Sequence, residues 1–111
     1  MQLNKKQIFK IKQVVNLDSV RSIVRIDVSH KQDGWSVEES NFNVYCVDQA
    51  YNIIWQVKEL KSKPASLFGE ADPFYYLGKD SKGEIFADRF SGFEYKINPD
   101  TGEAIRVGFH K

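Results

Sequence analysis

Apolar residues in this chain fall in short runs with strand-like alternation, broken at regular intervals by turn-forming residues. "VRSIVRIDVS" (Val20–Ser29) sets Val24, Ile26 and Val28 on one parity and Arg25, Asp27 and Ser29 on the other. That is the pattern of a half-buried strand. "NFNVYCVD" (Asn41–Asp48) opposes Phe42, Val44 and Cys46 to Tyr45 and Val47. "QIFKIKQVV" (Gln7–Val15) has mixed parity at its start, which leaves its register open. Runs at Tyr51–Leu60, Pro73–Asp80, Gly83–Phe90, Gly92–Pro99 and Glu103–Phe109 bring the predicted strands to eight. β-branched and aromatic residues dominate them, and no window sustains helical spacing. "KELKSKPASLFGE" (Lys58–Glu70) contains Pro64 and Gly69 and reads as a connection.

The strands repeat. A shift of fifty positions lays Tyr45 on Tyr95, Val47 on Ile97, Asp48 on Asn98, Asn52 on Gly102 and Val57 on Val107. A period of this size is that of a propeller blade. Gly102 is suited to a left-handed turn position, and Asn52 is the next best residue for one. The leading strands match at about sixty positions instead, and an inserted loop, Ser29–Asn41, accounts for the difference. The expected fold is therefore all-β. Two antiparallel four-stranded propeller-like blades, about residues 7–58 and 73–108, pack as a half-propeller or small β-sandwich within a single domain, 1–111.

Composition supports folding: 41% of the 111 residues are hydrophobic and 14% aromatic. The net charge of +1 argues against direct nucleic-acid binding. Charge is uneven along the chain. Residues 1–25 hold six bases and one acid, and residues 27–48 hold five acids and one lysine. This leaves open either a dipolar molecule or a fold that mixes the two segments. The single cysteine, Cys46, excludes an internal disulfide and suits a reducing cytoplasm. No run suggests a signal peptide or a membrane span, so a cytoplasmic protein is expected.

Motifs for chemistry are weak. "GKDSKGE" (Gly78–Glu84) has phosphate-loop glycine spacing but lacks the lysine that should follow Gly83, and reads as a charged turn. "NPDTGE" (Asn98–Glu103) has too few carboxylates for a calcium loop. His30 and His110 are the only histidines, and Cys46 lies in mid-strand, so no metal site and no cofactor is expected. Catalysis by His30 with Asp33 is conceivable, but a loop histidine beside an aspartate is ordinarily just solvated. The expectation is that the protein is not an enzyme.

Two loops combine acids with bulky aromatics. One holds Asp33, Trp35, Glu38 and Glu39; the other holds Phe68, Glu70, Asp72 and Tyr75. Aromatics of this kind anchor partner proteins, and flanking charges steer the encounter. The alternative is that Trp35 and Phe68 fold back to cap the sheets.

The stretch from "NVYCVDQAYNIIWQVKEL" to "FSGFEYKINPDTGE" resembles a group of small bacterial proteins. Their pattern is a strand ending in Asp, a polar turn, an aliphatic-Trp strand and an "FSG" step before a "DPxTG"-like turn. Among proteins of this shape, the chain is similar to immunity proteins of contact-dependent growth inhibition systems. The relevant group is a half-propeller that neutralises an RNase A-like toxin domain. The resemblance implies a cytosolic inhibitor that plugs the toxin's active-site cleft as a one-to-one complex. The loop acids would stand in for RNA phosphates. A scaffold module pairing through a free sheet edge, and a small-ligand module with its site between the sheets, remain as alternatives.

Overall fold

The computed structural model describes residues 1–29, 31–59 and 72–109. The chain opens with a short helix, α1 (Lys5–Phe9), followed by strands β1 (Ile11–Asn16) and β2 (Ser22–Ile26). A 3-10 turn (Lys31–Asp33) and helix α2 (Val37–Asn41) fill the inserted loop. Strands β3 (Val44–Val47), β4 (Ile53–Gln56) and β5 (Lys58–Glu59) follow. The second half holds β6 (Phe74–Lys79), β7 (Ile85–Arg89), β8 (Phe93–Ile97) and β9 (Glu103–Phe109). Sheet one has the order β1-β2-β3-β4 and sheet two the order β5-β9-β8-β7-β6. Both are antiparallel meanders except for β5, which runs parallel to β9. This is the expected all-β architecture of two packed sheets.

Three details differ from expectation. The fourth strand of the first unit divides: Val57 donates its N–H to Val44 O at 2.9 Å, within sheet one. The next residue, Lys58, donates to Gly102 O at 3.0 Å, within sheet two. Buried Val57 is thus the corner at which one strand changes sheets, and sheet two gains a fifth strand. The first strand also starts late. Asn4 accepts from Gln7 N–H while the Gln7 side chain accepts from Asn4 N–H, both at 2.8 Å. This capping box nucleates α1 where a strand was expected. Finally, β2 is buried on both faces rather than one, as is β3 along its whole length.

That double burial reflects two apolar layers. Ile23, Cys46 and Trp55 of sheet one meet Phe74, Ala87, Tyr95 and Ile97 of sheet two. On the other face of sheet one, Val24, Ile26, Tyr45 and Val47 are covered by Leu3, Ile8, Ile11 and Trp35.

The repeat survives in side-chain contacts. Tyr45 lies opposite Gln56, and its hydroxyl accepts from Gln56 Nε2 at 3.1 Å. Tyr95 lies opposite Arg106, and its hydroxyl accepts from Arg106 Nη2 at 3.0 Å. The β1–β2, β3–β4, β6–β7 and β8–β9 hairpins open alike. Oδ1 of Asp18, Asp48, Asp80 and Asn98 each accepts the N–H two residues on, at 2.9 Å. These Asx turns explain the strand-ending Asp pattern, and in the Asp80 turn Oδ1 takes the Lys82 and Glu84 N–H groups, donors of the kind a bound phosphate would need. The turns differ in length, however. Asp48 N–H reaches Asn52 O, whereas Asn98 N–H reaches Glu103 O, one residue further along. The left-handed counterpart of Gly102 (φ 80°) is therefore Tyr51 (φ 61°), not Asn52.

Two of the four edge strands, β4 and β6, carry contacts on their open side. β4 is flanked by the N-terminus, with Ile53 donating to Met1 O at 2.7 Å. Along edge strand β6, Phe74 N–H donates to Asn43 Oδ1 at 2.9 Å and Leu77 N–H to Gln13 Oε1 at 2.8 Å. The Asn43 and Gln13 side chains thus take two of the β6 N–H groups that strand pairing with another chain would use.

Candidate partner-binding site

The basic N-terminal segment and the acidic loop pack on each other, so the molecule mixes these charges rather than separating them. Lys10 Nζ lies 3.3 Å from Asp33 Oδ2. Lys6 Nζ donates to Asp33 O at 3.0 Å and sits 4.2 Å from the centre of the Trp35 ring. Trp35 packs against the outer apolar layer of sheet one. It is a cap on the sheet, and Asp33 is ion-paired with Lys10 beside it.

The next residues build α2. Ser36 Oγ accepts from Glu39 N–H at 3.0 Å, and Glu39 Oε1 accepts from Ser36 N–H at 3.1 Å. Glu39 therefore helps to cap its own helix, while Glu38 beside it is exposed. Val37 is 63% exposed on the same turn. Both acids lie over Tyr45, whose phenol is pushed up first by burial and then by the Glu39 and Glu38 charges.

α2 ends at Asn41, and there the two predicted loops meet. Asp72 N–H donates to Asn41 Oδ1 at 2.5 Å. Arg89 Nη1 donates to Asn41 O at 2.8 Å and to Asp72 O at 2.6 Å. The rest of the Arg89 guanidinium faces Glu59 Oε1, 2.9 Å from Nε and 2.5 Å from Nη2, and its flat side lies 4.2 Å from the Phe74 ring. Arg89 is only 1% exposed. Asn43 adds two bonds of 2.8 Å, to Ile26 O and Phe74 O. A buried polar knot thereby ties α2, β5, β6 and β7 together.

Six of the eight predicted contact residues lie among the described residues. Glu38 and Tyr75 are on the surface, Tyr75 at 52% exposure. Trp35, Asp33 and Glu39 are half-buried with the roles given above. Asp72 requires correction as a surface acid: it is 6% exposed, and Ser91 N–H and Ser91 Oγ hold its carboxylate at 2.9 and 2.6 Å. It is a structural acid that ties the start of β6 to Ser91. Phe68, Glu70 and His30 lie outside the described residues. Sequence reasoning missed Arg89, Asn43 and Glu59. The signal for Arg89 was present: it shares the inward parity of Ile85 and Ala87 in "IFADR". A charge at such a position must be paired to be tolerated.

Among the described residues, no three His, Cys, Asp or Glu side chains group as metal ligands. None of the helices there is long and apolar enough to cross a membrane.

The geometry defines a small β-sandwich with an acidic and aromatic edge braced from within by a buried arginine. Over residues 4–109 the chain matches the family described as a domain of unknown function (DUF7957), and it belongs to that family. No curated protein and no solved structure matches it.

Proposed function

We propose that the protein is a non-catalytic inhibitor that binds a basic partner protein through the α2–Tyr75 edge. In its most specific form the partner is a bacterial toxin domain, a ribonuclease, neutralised one-to-one in the cytoplasm. The observation that carries this reading is the Asn41–Asp72–Arg89 junction. Asn41, at the end of α2, and Asp72, just before β6, are joined to each other and to Arg89 by hydrogen bonds of 2.5–2.8 Å. Contacts already held in place before binding lower its entropic cost. Glu38 supplies an exposed carboxylate for a cationic cleft, and Val37 and Tyr75 supply exposed apolar area.

Growth protection tests the proposal. The reading expects a toxin domain to be encoded beside this chain's gene, and cells producing that domain should survive with the wild-type chain. They should die with Tyr75→Ala/Glu38→Lys, provided that variant melts at the wild-type temperature. Equal protection by the two, or no protection by either, would remove the reading.

A further inference from the structure

The outer face of sheet one is incompletely covered. Between α1 and the β3–β4 turn lies a groove of about 250 Å³. At the α1 end its lining is aliphatic, with Ile11, Val14, Val24 and Val47. Ser22, Asp48 and Tyr51 line the other end. No lysine or arginine is among the lining residues. Gln49 Nε2 donates to Ser19 O at 2.9 Å and joins the two hairpin turns at the polar end.

Tyr51 provides a second, independent observation. It is the only non-glycine residue at positive φ among the described residues, at 61°. The matching turn of the repeat places Gly102 there. A bulky residue is disfavoured in that conformation, so the turn does not call for tyrosine. Strained residues of this kind concentrate at ligand clamps.

We propose that this groove binds a small amphipathic amine, its apolar body on Val14, Val24 and Val47 and its ammonium against Tyr51 and Asp48. An aromatic face and a carboxylate are the two groups that attract an organic cation. Asp48 stays ionised at neutral pH. Hydrogen bonds from the Asn52 side chain, and then from Asn52 N–H, hold its carboxyl below the ordinary aspartate value. Its Oδ2 takes one bond, from Asn52 Nδ2 at 3.0 Å, and a carboxylate oxygen can accept two. The volume lies below the roughly 300–1,000 Å³ of drug-sized sites, so the occupant is small. The site uses neither Glu38 nor Tyr75 and stands apart from the proposed inhibitor edge.

The test is an NMR titration of amide signals with 2-phenylethylammonium, 2-phenylethanol and phenylacetate. The amine should shift Val14, Val24, Val47 and Tyr51, and should bind about tenfold more tightly than the alcohol. Phenylacetate should not bind. Asp48→Asn keeps an acceptor for the turn and should abolish the preference for amine over alcohol. Tyr51→Asn suits positive φ; it should keep the melting temperature and weaken amine binding at least about fivefold. The proposal is overturned if the amine shifts none of these four signals, or if wild type takes alcohol and amine equally. It is also overturned if Asp48→Asn retains the preference, or if Tyr51→Asn binds the amine like wild type or loses several degrees of melting temperature. That last result would make Tyr51 a packing residue.

Discussion

The indole of Trp55 lies directly on the α-carbon of Gly102. A Cβ built at residue 102 would fall 2.5 Å from Trp55 Cε3 and 2.6 Å from Cδ2. Trp55 Nε1 donates to Pro99 O at 2.8 Å, which fixes the ring against the β8–β9 turn. Sheet one thus closes on the hairpin of sheet two through a ring that only glycine admits. Gly102 also holds φ 80°, so two separate demands coincide. Gly102→Ala should cost about 2–4 kcal/mol, combining left-handed strain with overpacking. Urea unfolding measures it, and a loss under about 0.5 kcal/mol would refute the contact.

Arg89 and Glu59 pose a different test. Their side chains are 2% and 4% exposed and 2.5 Å apart. Removing one partner leaves the other charge buried. Arg89→Ala should therefore cost about 3–5 kcal/mol. Arg89→Met/Glu59→Leu should recover part of this, but not all, because Asn41 O and Asp72 O still lose their donor. Full unfolding curves for both variants decide the matter, and a double variant no better than Arg89→Ala contradicts it.

Much of this fold was legible in the chain. The eight runs, the repeat and the two-sheet arrangement follow from alternation and turn residues, because side-chain period and turn chemistry are local. The Tyr45 and Tyr95 match even carried over to hydrogen bonds with their cross-strand partners. What stayed hidden is non-local. The Val57 corner depends on β9 offering an open edge, which no window around Val57 reveals. The turn offset that exchanges Asn52 for Tyr51 depends on loop length rather than residue preference. At the candidate site, composition picked out both loops, but burial decides which acid faces solvent. That is why Asp72 and Glu38 read alike in sequence and differ in the fold.

Acid should weaken the hairpins. The carboxyls of Asp18 and Asp48 are held below the ordinary aspartate value. Val20 N–H leads for Asp18, and the Asn52 side chain leads for Asp48. A lowered folded pKa means that the contribution is complete above the unfolded value, about 3.9. It is lost as pH falls through the lower folded values. Melting temperature should fall below about pH 4, and Asp48→Asn should fall less steeply. Parallel melting curves for the two proteins from pH 6 to pH 2 would contradict this.

Cys46 should be inert while the protein is folded. It is fully buried, and burial pushes its thiol up, so the reactive thiolate is scarce. Iodoacetamide at pH 8 should label it only in denaturant. Rapid labelling of native protein would show that the inter-sheet layer opens readily.

The central claim is the proposal that the α2–Tyr75 edge is a contact surface, and binding kinetics against the proposed toxin partner test it most directly. Glu38 is exposed, so its charge acts on encounter, and Glu38→Ser should slow association, more at low salt than at high. Tyr75 acts once water is excluded, so Tyr75→Ala should speed dissociation, costing about 2 kcal/mol or more if it is an anchor. Trp35→Ala serves less well, since that ring also covers sheet one. The account predicts slowed, salt-sensitive association for the first variant and faster dissociation for the second, both at unchanged melting temperature. Wild-type rates in both folded variants would contradict it.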